Sequence, residues 1–293
     1  MSSRFSGVLT AIITPFTSDG RIDKDVLVEN VDYLVECGVD GFYVCGTTGQ
    51  GPLMSKDERL EVIRTVLDHC KGRKVIAQVG TLNINDVIDV GREALDMGVD
   101  HVAIVAPYYY QYDREALKRY YTIVSESLKT PVFLYNIPSA TGVNLNPELV
   151  HELSSLGLVA GIKDSSGYLE QIVELIELSL GILIFNGPDH THYYALTAGV
   201  DGIVSGVSNV VPKTVVSLYR NVKEGNMEKA RKIQYEILKL LEVFRGYPQI
   251  AVYHAAIELM GRRAGKVKPP LRDLDEKEKA MLKEDLELIG VLS

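Results

Sequence analysis

Residues 158–163 read LVAGIK, five apolar positions in a row and then a lysine. A strand with one wet face alternates apolar and polar residues, whereas a strand covered on both faces is apolar throughout, as in parallel sheets flanked by helices. The segment is therefore expected to be a fully buried parallel strand. Lys163 is then the anomaly, because an ammonium group avoids the interior unless it is paired or used, and this one stands where the strand ends.

Working outward, seven further runs of strand length share the pattern: 7–14 (GVLTAIIT), 41–46 (GFYVCG), 74–80 (KVIAQVG), 101–107 (HVAIVAP), 131–136 (PVFLYN), 181–187 (GILIFNG) and 202–206 (GIVSG). Amphipathic stretches separate them. DKDVLVENVDYLVECG (23–38) sets Val28, Val31, Leu34 and Val35 on one face and stops at Gly38. SKDERLEVIRTVLDHC (55–70) opens with Ser55 and has Glu58 three residues on, the spacing of a capping box, and NPELVHELSSLG (146–157) ends on Gly157. Eight strand–helix units with strands apolar on both faces predict an α/β chain closed into a (β/α)8 TIM barrel over 1–212, in preference to an open doubly wound sheet. More helix follows than the eighth unit needs: 213–245, 248–265 and DEKEKAMLKEDLELIG (275–290), with KVKPP (266–270) as a break. Residues 213–293 are accordingly read as a C-terminal helical extension packed on the barrel.

Composition narrows the function. The 293 residues are 46% apolar, enough for a sizeable core. With 31 Lys and Arg against 39 Asp and Glu the net charge is -8, which offers no basic stripe for a phosphate backbone, so no nucleic-acid partner is expected. Cys37, Cys45 and Cys70 lack metal-ligand spacing and no secretory leader is recognisable, pointing to a cytoplasmic protein. No apolar run approaches the roughly 20 residues of a membrane helix.

Chemistry in such a barrel gathers at the C-terminal strand ends. These carry GTTGQGP (46–52), APYYYQY (106–112), YNIPSATG (135–142), Lys163 and NGPDHTH (186–192). Among apolar neighbours desolvation disfavours the ammonium form of Lys163, leaving a nucleophilic amine suited to condense with a ketone; the plainer alternatives are a lysine reaching the rim or paired with Asp164. The glycine-rich turn offers Thr47, Thr48 and backbone N–H groups as an anion nest for a carboxylate or phosphate, or is a bare strand-to-helix turn. Tyr135 shares a face with Phe133 and either relays protons or packs. Tyr108, Tyr109 and Tyr110 form a substrate wall or meet a neighbouring subunit. His190 and His192, with Asp189 near, are a poor metal set, and no metal or cofactor is expected. GIVSG carries no clear phosphate motif.

Taken together, AIITPF, GTTG, PYYY, YNIPSATG, GIKDSS and NGPDH, each in order and the last five at strand ends, resemble one family over nearly the whole chain: the class I pyruvate-dependent aldolases that include dihydrodipicolinate synthase, N-acetylneuraminate lyase and 2-keto-3-deoxygluconate aldolase. The resemblance implies a metal-independent carbon–carbon lyase in which Lys163 forms the Schiff base, Tyr135 relays protons, and Thr47 and Thr48 cradle the pyruvate carboxylate, with Gly46 and Val204 completing the substrate-binding set. It also implies that Tyr109 crosses to a partner's site in a homotetramer built as a dimer of dimers. Departures bear on the substrate. The synthases carry an arginine where Ala140 stands, a carboxylate clamp this chain lacks. The lyases show GSTGE and an acid after the strand-seven aspartate, where this chain has Thr47, Gln50 and His190. The pieces look most like 2-keto-3-deoxygluconate aldolases, which implies reversible cleavage of a 2-keto-3-deoxy sugar acid to pyruvate and a small aldehyde, with Ser139, Thr141 and Asp189 assigned to hydroxyl contacts. A 4-hydroxy-tetrahydrodipicolinate synthase, an N-acetylneuraminate lyase and a non-catalytic pyruvate-binding barrel stay open as alternatives.

Overall fold

The computed structural model describes residues 5–292. Eight strands, β1 (Gly7–Ala11), β2 (Gly41–Val44), β3 (Lys74–Gln78), β4 (His101–Val105), β5 (Val132–Asn136), β6 (Val159–Asp164), β7 (Leu183–Asn186) and β8 (Gly202–Ser205), pair in sequence order and close with β8 on β1. Every pairing is parallel. The expected (β/α)8 TIM barrel with C-terminal helices is the observed fold. β1 stops at Ala11, short of the expected 14, because the chain beyond it bonds elsewhere: Ile13 N–H donates to Asn209 Oδ1 at 3.1 Å and Thr14 Oγ1 donates to Gly49 O at 2.7 Å.

Helices α1 (Lys24–Glu36), α2 (Lys56–His69), α3 (Ile84–Met97), α4 (Arg114–Leu128), the one-turn α5 (Pro138–Thr141), α6 (Pro147–Ser155), α7 (Leu169–Glu177) and α8 (His192–Ala198) fill the connections. The capping box at Ser55 is formed, with Ser55 accepting from Glu58 N–H and Glu58 accepting from Ser55 N–H. In α1 the buried face is Val26, Leu27, Asn30, Val31 and Leu34, turned from the expected stripe. Asn30 takes a core position by donating to Val26 O and to Arg263 O at 2.8 and 2.9 Å, so a polar residue fills it without an unpaired group.

After β8 come α9 (Pro212–Lys223), α10 (Met227–Phe244), α11 (Ala251–Leu259) and α12 (Glu276–Leu288). Helix α9 packs on β1 beside α8 and so completes the outer ring; by packing, we begin the extension at α10 rather than at 213. The KVKPP break is anchored, since Phe16 and Lys266 exchange backbone hydrogen bonds of 3.0 and 2.7 Å. Among the described residues no helix is long and apolar enough to cross a membrane.

The barrel interior is filled from alternate strand positions. Register places Phe133 beside Gly161, and Tyr135, Lys163 and Phe185 in a row that ends at Gly202. The two glycines make room for the rings: a Cβ on Gly161 would lie 2.3 Å from the Phe133 ring and one on Gly202 2.4 Å from the Phe185 ring. Phe5, His101, Phe133 and Phe185 stack across the interior with centroid separations of 5.0–6.2 Å. Gly161→Ala is expected to cost about 2 kcal/mol by overpacking. Urea unfolding of Gly161→Ala, Phe133→Leu and the double variant checks this, the double variant recovering part of the loss if the clash is with the ring.

Candidate active site

The site lies inside the mouth of the barrel, where β2, β5, β6 and β8 end. Lys163 is 5% exposed although it is a lysine. Alternation along β6 turns its side chain inward and that of Asp164 outward. The Asp164 carboxylate is taken by Ser166 N–H, Asn136 Nδ2 and Gln171 Nε2 at 3.0, 2.9 and 2.6 Å, so the pairing of Lys163 with Asp164 is not formed. Among the described residues Lys163 Nζ has no carboxylate partner. It sits instead over two aromatic faces, 4.2 Å from the centroid of the Tyr43 ring and 4.1 Å from that of Tyr135.

Tyr135 does more than pack. Its hydroxyl is 3.0 Å from Thr47 Oγ1, a hydrogen bond that either partner is able to donate. This joins the end of β5 to the GTTG turn. The turn is shaped at both ends by left-handed backbone at non-glycine residues, Cys45 at φ 57° and Gln50 at φ 59°, conformations that persist only where the surroundings enforce them. Gln50 is fixed by donating to Thr14 O at 3.1 Å and accepting from Lys268 N–H at 2.7 Å, with His254 of α11 beside it. A close approach makes Gly51 obligatory, since a Cβ there would lie 1.8 Å from Cys45 O. Thr47 and Thr48 are half-buried at the tip, and Thr48 Oγ1 and the Tyr253 hydroxyl both border Gly206 after β8. Gly46 is buried against the Tyr43 ring, and Val204 lies on the inner face of β8 in the same apolar cluster as Tyr43 and Tyr135. Burial pushes the Cys45 thiol up to about 12, so it is a neutral packing group.

The remaining sequence candidates fall at the rim. Ser139 is exposed on α5. Thr141 is buried, its hydroxyl donating within reach of Ile137 O and Val143 O at 3.0 Å and accepting from Val143 N–H at 3.2 Å. Asp189 is buried too; its carboxylate accepts from Ser205 Oγ, from Gly206 and Val207 N–H at 3.1 and 3.4 Å, and faces His192 Nε2 at 3.1 Å. The oxygens of Thr141 and Asp189 are thus engaged in holding loops. Tyr109 is 82% exposed at φ 80°, its ring edge-on to that of Tyr110 at 5.1 Å. Among the described residues no group of three or more His, Cys, Asp or Glu is arranged to hold a metal.

Sequence reasoning passed over Tyr43 and the Gln50–His254–Lys268 contact. A tyrosine three residues before a glycine-rich turn, in a strand otherwise aliphatic apart from one phenylalanine, is the available signal for the first. Nothing local signals the second, which joins residues more than 200 positions apart.

The arrangement is a buried primary amine next to a phenol that is hydrogen-bonded to a threonine hydroxyl, with a turn rich in N–H groups at its side. It can condense with a ketone and move a proton. Comparison with known proteins agrees with this chemistry. The dihydrodipicolinate synthetase family model matches residues 4–289. The 4-hydroxy-tetrahydrodipicolinate synthase of Methanocaldococcus jannaschii is 36% identical over 290 residues, 98% of this chain and 100% of that one. The 2-dehydro-3-deoxy-phosphogluconate/2-dehydro-3-deoxy-6-phosphogalactonate aldolase of Sulfurisphaera tokodaii is 34% identical over 280 residues, 94% of this chain and 95% of that one. A prophage protein of the dihydrodipicolinic acid synthase family from E. coli K12, solved in complex with pyruvate, superposes with a TM-score of 0.94 at 30% identity, covering 99% of this chain and 100% of that one. The chain belongs to the dihydrodipicolinate synthetase family and is a class I aldolase, a carbon–carbon lyase of the metal-independent Schiff-base type.

The Asp189 contacts have a measurable consequence. Burial raises the carboxyl, but hydrogen bonds from His192, Ser205 and the Val207 N–H outweigh it and hold the group below its ordinary value. A carboxyl lowered in the folded state contributes stability that is full above its unfolded value of about 3.9 and is lost as pH falls through the lower folded value. Asp189→Asn is therefore expected to cost about 3 kcal/mol at pH 7, the gap to the native protein narrowing below about pH 4. Denaturant unfolding at a series of pH values tests this, and a constant gap would show that ionisation of Asp189 does not matter.

Proposed function

We propose that this member of the dihydrodipicolinate synthetase family is a 2-keto-3-deoxy sugar acid aldolase of the 2-keto-3-deoxygluconate type. One observation carries the choice of substrate: the segment after Tyr135 presents Ser139 and Ala140, a hydroxyl and a methyl group with no guanidinium between them. A partner with a distal carboxylate, such as aspartate semialdehyde, would lack the bidentate clamp that makes such recognition strong. A neutral hydroxylated chain needs no clamp.

In this reading the lone pair of Lys163 Nζ attacks the C2 carbonyl of the keto acid, whose oxygen leaves as water to give an iminium. Thr47, Thr48 and the N–H groups of the turn, with Gly46 and Val204 alongside, hold the C1 carboxylate. Tyr135, linked to Thr47, gives its proton to the departing water and, as the phenolate, then takes the proton of the C4 hydroxyl. The C3–C4 bond breaks, its electron pair passes to the iminium as an enamine, and the aldehyde departs. Protonation at C3 and addition of water release pyruvate and restore the amine. The exposed rings and left-handed backbone at Tyr109 suit a residue completed by a second copy of the chain, in keeping with a homotetramer.

A second reading, 4-hydroxy-tetrahydrodipicolinate synthase, draws support from the name of the Methanocaldococcus relative. Turnover against 2-keto-3-deoxygluconate, N-acetylneuraminate, and pyruvate plus aspartate semialdehyde separates the readings. Preference for the first substrate supports the proposal; efficient condensation with aspartate semialdehyde would sink it. Incubation with pyruvate and borohydride is expected to leave a pyruvyl increment on Lys163, absent in Lys163→Met. Tyr135→Phe should still be trapped while kcat falls roughly 100-fold or more.

A further inference from the structure

Among the described residues, three buried side-chain polar groups have no hydrogen-bond partner: the hydroxyls of Tyr43 and Tyr120 and Nη1 of Arg262. Tyr43 alone of these lies inside the barrel against the candidate site. It is wholly buried, and an unsatisfied buried hydroxyl is a liability that an aliphatic side chain, usual in a strand, would avoid. Its position therefore has to be explained by the ring.

The ring is held on three sides. Gly46 of the turn packs on it so closely that a Cβ there would lie 3.0 Å from two ring carbons. The Tyr135 ring meets it edge-on, with centroids 5.5 Å apart and planes at 72°. Its third contact is Lys163 Nζ, 4.2 Å from the centroid, while the Tyr135 ring takes the same nitrogen at 4.1 Å. Two π faces thus converge on one nitrogen in a water-poor interior, where attraction between a cation and a ring quadrupole is at its strongest.

We infer that Tyr43 is a further residue of the reaction: its ring, together with that of Tyr135, forms an aromatic clamp that holds the positive charge of the Lys163 iminium. This rests on the Schiff-base reading above. No carboxylate neutralises that cation among the described residues, and a carboxylate in contact would oppose formation of the neutral attacking amine as well as favour the iminium. Ring faces are a milder device, because they attract the cation without introducing a negative charge. Burial also keeps the Tyr43 hydroxyl well above its ordinary value, so the group remains a neutral phenol. The hydroxyl has no assigned task, whereas that of Tyr135 is bonded to Thr47, so at position 43 the ring and the hydroxyl are separable by mutation.

The measurement is the pyruvate concentration giving half-maximal borohydride trapping on Lys163, read by intact mass, for the native enzyme, Tyr43→Phe, Tyr43→Leu and proteins carrying mono-, di- and trifluorinated phenylalanine at 43. Fluorination drains the ring quadrupole while nearly preserving shape, so a merely structural ring would not register it. Tyr43→Phe is expected within about twofold of native, Tyr43→Leu about 10-fold higher, and the fluorinated series to rise stepwise between them. A flat fluorinated series, or Tyr43→Phe as impaired as Tyr43→Leu, overturns the clamp while leaving the Schiff base intact. Failure of the native enzyme to give any adduct overturns the Schiff-base reading and the clamp together.

Discussion

Placing one amine inside a closed barrel is the constraint from which the rest of this structure follows. An ammonium group is expensive to bury, and an unpaired one more so. The fold answers with aromatic faces. Tyr43 and Tyr135 flank the nitrogen, and the rings of Phe133 and Phe185 occupy the interior beside it, which in turn requires glycine at 161 and 202. Each of these glycines stands in strict register with the ring it accommodates. The lysine, the rings and the glycines are one packing solution, distributed over five strands.

The outward half of the same strand ends does different work. Where Tyr135 and Lys163 face in, Asn136 and Asp164 face out. There they join Asn144 and Gln171 in a network of 2.6–2.9 Å bonds that fixes the loops after β5 and β6. Asp189 does the same between the loops after β7 and β8. A fully satisfied polar network of this kind rigidifies whatever it joins. The C-terminal extension contributes in the same way through the Gln50 side chain, which ties the GTTG turn to α11 and to Lys268. The helices beyond the barrel therefore brace a turn at its mouth.

The barrel was legible because apolarity on both faces of a strand admits few architectures, and eight strand–helix units point to closure. Lys163 was legible because a charge at the end of such a strand needs a reason. Other residues were not, for identifiable causes. Asn30 reads as a surface residue and is core, its amide satisfied by a carbonyl from residue 263 that periodicity does not see. Helix α9 reads as the start of the extension, since a break at Gly225 is weak punctuation inside a long amphipathic stretch, yet it packs on β1. The internal hydrogen bonds of Thr141 and Asp189 are likewise invisible in the sequence, because polarity does not say which backbone groups an oxygen will meet. Tyr43 escaped because tyrosine is an ordinary strand residue; only the geometry puts Lys163 Nζ over its face.

These divisions explain why one scaffold hosts several activities. The inward groups are locked in, since altering Lys163, Tyr43 or Gly46 disturbs barrel packing, and on the outward side altering Asn136, Asp164 or Asp189 frees a loop. Ala140 is in the opposite situation. It is exposed on a single helical turn, so exchange between methyl and guanidinium there leaves the core and the polar networks untouched. Positions of that kind change at little cost to stability. Relatives similar over nearly their whole length bear the names of a synthase and an aldolase. Packing holds the buried amine and its rings in place, and the exposed rim is where side chains are free to vary.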